Sequence, residues 1–102
     1  MIDFKKLQQE IHQNKVNKKF NISDIDKEFC LVHGEIAEAY NAYLKKLPDI
    51  GEELADVVIY MFGLAQMLDI ELGEEIIKKV EKNSKREYKK IDGVLKRTKE
   101  AE

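Results

Sequence analysis

The chain has 102 residues, of which 43% are hydrophobic and 37% charged, with a formal net charge of −2. This length sets the expectation of one domain over residues 1–102, whose core is small enough for association with a neighbour to add useful burial. One proline, five glycines and a single cysteine exclude an internal disulfide and favour an all-α chain in which nothing reads as a sheet.

In chain order, Phe4, Leu7 and Ile11 recur at helical spacing and predict a helix over about 3–14. Residues 15–23 are polar apart from Phe20, and Ser23 or Asn21 is placed to cap the next helix. That helix is long, expected over about 24–46, with Phe29, Val32, Ile36, Ala39, Tyr40 and Tyr43 as its apolar positions. Cys30, within it, is read as a small buried apolar residue. Pro48 ends this helix, because the residue before a proline is driven out of the helical region. The next helix, about 50–68, is apolar nearly all round from Val57 to Leu68 and should be central. Asp69-Ile70-Glu71 connects it to a helix over about 72–90 carrying Ile76, Ile77 and Val80. Gly93 loosens the remainder, and 92–102 is expected to be a frayed tail.

Charge is unevenly distributed. Residues 78–99 hold ten Lys/Arg and three Asp/Glu, leaving the rest of the chain strongly acidic. Most of these lysines read as a solvated helix face. The N-terminus lacks the apolar stretch of a secretory signal and no run reaches membrane-spanning length, which sets the expectation of a cytoplasmic protein without membrane association.

Two acidic pairs stand out against this background, Glu35-Ile-Ala-Glu38 and Glu53-Leu-Ala-Asp56. Residues three apart share a helix face, so each pair directs two carboxylates at one place. If the Pro48 turn folds the two helices antiparallel, all four carboxylates converge. Four like charges in one place call for a cation, and an all-oxygen donor set suits Mg²⁺, with Mn²⁺ as a substitute, better than Zn²⁺. Glu52 and Glu53 also have a plainer reading as acids complementing a helix N-terminus. Lys19 and His33 are further candidates for phosphate contact, the latter because it adjoins the first acidic pair.

The order Glu35-x-x-Glu38, a turn, Glu53-x-x-Asp56-Val57-x-Ile59-Tyr60, then Lys79-x-x-x-Asn83-x-x-Arg86-x-Tyr88 resembles the MazG-like nucleotide pyrophosphohydrolases of the all-α NTP pyrophosphatase superfamily, over about residues 7–97. The resemblance implies a four-helix MazG-like bundle completed by oligomerisation, as a homodimer or homotetramer. It also implies Mg²⁺-dependent cleavage of a nucleoside triphosphate into monophosphate and pyrophosphate. Glu35, Glu38, Glu53 and Asp56 become metal ligands, and Tyr60, Lys79, Asn83 and Arg86 match positions used around the nucleotide and its phosphates. Glu35 and Glu38 are the expected catalytic pair, with Glu38 orienting the attacking water, while Lys79 and Arg86 counter charge on the leaving pyrophosphate. The chain departs from the pattern at Gly34, where an acidic residue is common, and at Glu87, where relatives often carry proline beside the arginine.

Rival readings are a non-enzymatic helical dimerisation or adaptor module and, within the enzyme class, a phosphoribosyl-ATP pyrophosphohydrolase. A di-iron carboxylate bundle is disfavoured because neither His12 nor His33 completes a Glu-x-x-His motif. Nucleic-acid binding is disfavoured by the acidic remainder of the chain.

Overall fold

The computed structural model describes residues 1–100. They form four helices, α1 (Phe4–Asn17), α2 (Ile25–Leu44), α3 (Ile50–Met67) and α4 (Leu72–Lys85), then two short strands, β1 (Glu87–Ile91) and β2 (Val94–Lys99). The chain is mostly helical, and its contacts divide it into two compact units, Met1–Leu72 and Gly73–Glu102. Among the described residues, no helix is long and apolar enough to cross a membrane.

In the first unit, Asp3 caps α1 by accepting from Lys6 N, and Asp24 caps α2 by accepting from Lys27 N. The α2 cap is therefore Asp24, rather than the Ser23 or Asn21 suggested by sequence. Asn21 instead shapes the turn before the helix, where its Oδ1 accepts from Ser23 N and Asp24 N. After Pro48 the chain reverses, and α3 packs along α2 and against α1. The helix that sequence made central is the one both others touch.

α1, α2 and α3 all end in the same way. Lys19, Lys46 and Asp69 adopt left-handed backbone with φ of 60°, 54° and 57°. In each case the following residue, Phe20, Leu47 or Ile70, donates its N–H to a carbonyl five residues back, on Lys15, Ala42 and Ala65 respectively. This closes the helix in a Schellman turn, with an apolar residue in the position that usually packs back on the last turn. Glycine normally occupies the left-handed position, so three ordinary side chains are held in a costly conformation.

The buried apolar set is small: Val32, Ala39, Ala42, Phe62, Leu64 and Ala65. Three polar residues are buried among them, Gln8, Lys15 and Glu28, and each is matched. Gln8 donates to Gln66 Oε1 at 3.0 Å and to the Ile70 carbonyl at 2.8 Å, and accepts from Leu72 N at 3.2 Å. Lys15 Nζ lies 2.9 Å from Glu28 Oε2 and 3.4 Å from Met67 Sδ. Phe4 stacks on Phe62 with ring centroids 6.1 Å apart. Several residues expected inside are exposed, namely Cys30, Phe29, Ile36, Tyr40 and Tyr43. The buried face of α2 runs through Glu28, Val32, Ala39 and Ala42, and the helical period turns Cys30 away from it.

The second unit corrects the sequence reading most. The last helix stops at Lys85 rather than about 90, and residues 87–99, part of which was expected to fray, form an antiparallel hairpin. Its two-residue turn is Asp92-Gly93, both with positive φ, 53° and 77°. An Asp-Gly pair between β-prone Ile91 and Val94 is a strong short-range hairpin signal, because that turn matches the right-handed twist of the strands. Residues 101–102 of the expected tail lie outside the described residues.

Two substitutions test this packing. Lys46→Gly removes the left-handed strain at an exposed site and should stabilise the chain by about 1 kcal/mol in urea titrations. Gly63→Ala should destabilise it, because the added Cβ meets Lys15 Cδ and Nζ at 3.3 Å and presses on the buried ion pair; a lowered melting temperature with unchanged helical content at low temperature is the check.

Candidate functional site

The acidic pairs lie on facing helices of the first unit. Glu35 and Glu38 are in the middle of α2, and Glu53 is in the first turn of α3. One carboxylate oxygen from each lies within 4.8 Å of the other two. Asp56, one turn beyond Glu53, stands outside this trio, yet its charge raises the proton affinity of both Glu35 and Glu53. The short connection around Pro48 produces this convergence, since it returns α3 along the same side of α2.

The surroundings leave the acids poorly satisfied. Glu35 Oε2 and Glu53 Oε2 are shut off from solvent without a hydrogen-bond partner, and so is Asp49 Oδ1 at the start of α3. Glu35 is pushed above the ordinary glutamate range by desolvation first and then by the charges of Glu38 and Asp56, with the Tyr60 hydroxyl opposing the rise. Glu53 is raised by desolvation, then by Asp49, Glu38, Asp56 and Glu52. Tyr60 is itself raised, by desolvation and then by Glu35, Glu28 and Asp56. Glu35, Glu38 and Glu53 each offer an oxygen that could serve a divalent cation, and an all-oxygen set is the kind that hard cations take.

Beside this cluster is a cavity of about 590 Å³, and Tyr60 and Lys19 are among its lining residues. Its walls are mainly apolar, from Leu7, Ile11, Phe20, Leu31 and Ile59, and its lining also includes the buried Lys15 and Glu28. Tyr60 thus belongs to the cavity and, through its hydroxyl, to the surroundings of Glu35. His33 is exposed on α2 and Glu38 is exposed at the cluster.

Lys79, Asn83 and Arg86 fall in the second unit. Lys79 is exposed on α4. Arg86 donates through Nε to Glu100 Oε1 at 2.8 Å and through a terminal nitrogen to Asn83 Oδ1 at 3.1 Å. Glu100 also accepts from Arg97 at 2.6 Å, and its hydrogen bonds to Arg97 and Arg86 hold its pKa down at about 2. Arg86 and Asn83 therefore fasten the hairpin to the end of α4.

Sequence reasoning misses two features here. Asp49 reads there only as part of the break around Pro48, although its spacing to Glu53 is i, i+4 and signals a shared face. Lys15 and Glu28 are unremarkable among many charged residues, and no spacing rule spans the thirteen positions between them.

The chain matches no protein-family model, and no curated protein or solved structure matches it either.

The raised carboxyl groups predict an inverted acid response. A carboxyl whose pKa is raised by folding favours the folded state below its ordinary pKa, and that contribution is lost as pH rises through the folded-state value. In EDTA, the melting temperature should include this declining contribution, and Glu35→Gln should flatten it and raise the melting temperature at neutral pH. Thermal melts from about pH 4 to about pH 8, with and without Mg²⁺, provide the measurement.

Proposed function

We propose that the first unit holds Mg²⁺ and carries a nucleotide pyrophosphohydrolase site, converting a (deoxy)nucleoside triphosphate and water into the monophosphate and pyrophosphate. The observation that carries this reading is the convergence of Glu35, Glu38 and Glu53 from two helices, with buried unpartnered oxygens on Glu35 and Glu53. A structural acidic face has no reason to bury such oxygens, because solvated carboxylates satisfy themselves with water at no cost. The two acidic motifs and their resemblance to MazG-like enzymes support the same chemistry.

In this reading Glu35, Glu38 and Glu53 hold the cation, with Asp56 as the fourth ligand suggested by the second acidic motif, and Asp49 lends negative charge from the start of α3. When bound, Mg²⁺ supplies charge neutralisation of the triphosphate and acidifies water. Glu38, the exposed member of the trio, accepts the proton of the attacking water as its oxygen bonds to phosphorus and the α–β phosphoanhydride bond breaks. The Tyr60 hydroxyl favours the ionised form of Glu35, opposing the rise in its pKa. Lys19, on the cavity lining, is the cation in this unit assigned to a phosphate.

The reading includes a homo-oligomer. Phe29, Ile36, Tyr40 and Tyr43 repeat along one outward stripe of α2, and Leu54, Val58 and Met61 do so on α3; all are exposed. Unpartnered apolar stripes of this kind ordinarily mark an association surface. The same stripes are what favour the alternative, a non-enzymatic dimerisation or adaptor module, which has no need of the acidic cluster.

The test is incubation with a panel of NTPs and dNTPs in Mg²⁺, with an EDTA control and separation of pyrophosphate from orthophosphate. Metal-dependent monophosphate and pyrophosphate are expected, and Glu38→Gln should retain less than about a tenth of the rate with unchanged circular dichroism. Saturating Mg²⁺ at about 100 times its Kd should also add about 2.7 kcal/mol of stability by linkage. Absence of both turnover and stabilisation would transfer the assignment to the adaptor.

A further inference from the structure

The hairpin of the second unit takes no part in the reaction above. Its strands, Glu87–Ile91 and Val94–Lys99, carry five Lys/Arg against one acid, and every residue in them is exposed. We propose that this hairpin is a nucleic-acid contact that enters the major groove of a duplex turn first; the inference goes beyond the hydrolase reading and does not depend on it.

The strand register arranges the charges. Ladder partners share a face and successive residues alternate between faces, so Lys89 and its partner Lys96 stand side by side on one face, while Lys90, opposite Leu95, is on the other. Lys99 is spent on Glu87 at 3.9 Å and Arg97 on Glu100 at 2.6 Å, whereas Lys89, Lys90 and Lys96 make no ion pair among the described residues. Like charges directly across a ladder are destabilising, and an isolated two-stranded hairpin is marginal to begin with. Guarding open strand edges explains a lysine on each strand, but not two set against each other. Phosphates close to both lysines remove the repulsion.

Shape and chemistry select among anionic partners. Free ammonium groups on both faces suit a partner that flanks the ribbon on two sides, whereas a bilayer meets only one. The major groove is about 12 Å wide and admits a two-stranded ribbon, whose thickness with side chains is about 10 Å, so each face looks at one row of phosphates. Near the turn, Ile91, Val94 and Leu95 are 46%, 56% and 62% exposed and meet thymine methyl groups, while Asp92, in the turn itself, accepts from the amino group of a cytosine. The same carboxylate opposes entry into hydrocarbon. A single strand is gripped chiefly by stacking on aromatic rings, and the one ring of the hairpin, Tyr88, is at the end away from the turn. Most of the acids that weigh against nucleic-acid binding at the level of sequence belong to the first unit, and the hairpin belongs to the second.

The experiment is fluorescence anisotropy of a labelled, mixed-sequence DNA duplex of about 20 base pairs, titrated with the full chain at salt concentrations from about 50 to about 200 mM. The duplex should bind with a Kd of about 10–100 µM at the lowest salt, and log affinity should fall against log salt with a slope of about −3, as three phosphate contacts require. Lys89→Gln with Lys96→Gln should weaken binding at least about tenfold and make the slope shallower by about 2. Because this pair of substitutions relieves a repulsion, its effect is not a loss of the hairpin. Lys90→Gln alone should make the slope shallower by about 1. Lys6→Gln with Lys45→Gln removes the same net charge from the first unit and should change Kd by less than about twofold. Absence of duplex binding at the lowest salt, equal losses in the two double variants, tighter binding to the single strand, or retention by phosphatidylglycerol vesicles without duplex binding overturns the inference.

Discussion

The first unit depends on the way Lys15 and Glu28 are taken out of water. Lys15 is in the last turn of α1 and Glu28 in the first turn of α2, so their 2.9 Å contact joins the two helices across the polar connection between them. The ammonium also reaches Met67 near the end of α3, and it fits only because residue 63 of that helix has no side chain to occupy the same space. Desolvating two charges costs several kcal/mol per ion and is repaid only in good geometry. Any other arrangement of the three helices would strand one of the charges. The pair therefore acts less as a source of net stability than as a lock on how α1 lies against α2 and α3. The cavity exists because α1 is held there, and the Gln8 hydrogen bonds and the Phe4–Phe62 stack complete the attachment.

The opposite electrostatic situation holds at the acidic cluster. Folding brings Glu35, Glu38 and Glu53 together, with Asp49 and Asp56 beside them, and no basic side chain makes an ion pair with any of these five among the described residues. Repulsion and desolvation both push Glu35 and Glu53 toward protonation. A fold that neutralises Lys15 with Glu28 so fully, yet leaves a neighbouring set of acids uncompensated, treats the two groups of charges differently. Uncompensated charge of this kind is a common signature of a functional site, where stability is given up for chemistry. The small apolar core makes that sacrifice harder to bear, and the exposed stripes of α2 and α3 offer further burial through association.

Much of the helical layout is legible in the sequence because it rests on local rules. The break around Pro48 separates α2 from α3, the apolar run from Val57 identifies α3 as the helix in contact with both others, and the two acidic motifs announce their own faces. The hairpin after α4 is equally local, but Gly93 taken alone reads as a breaker, whereas Asp92-Gly93 between Ile91 and Val94 is a turn with a defined geometry. Phe29, Tyr40 and Cys30 show a different failure. Apolar character predicts that a residue benefits from burial, but a helix in a three-helix unit has only one face to bury, and here that face belongs to Val32, Ala39 and Ala42.

The sequence by itself determined the helices, their approximate ends and the pairing of carboxylates within each acidic motif, because these arise from contacts between residues at most a few positions apart. Only the tertiary structure decided that Glu35 and Glu38 meet Glu53, that Arg86 is committed to Glu100, and that Lys15 finds Glu28 beneath a cavity bordered by Tyr60. Those outcomes depend on the angle and register at which whole helices pack, and these are set by the summed shape and charge of many side chains.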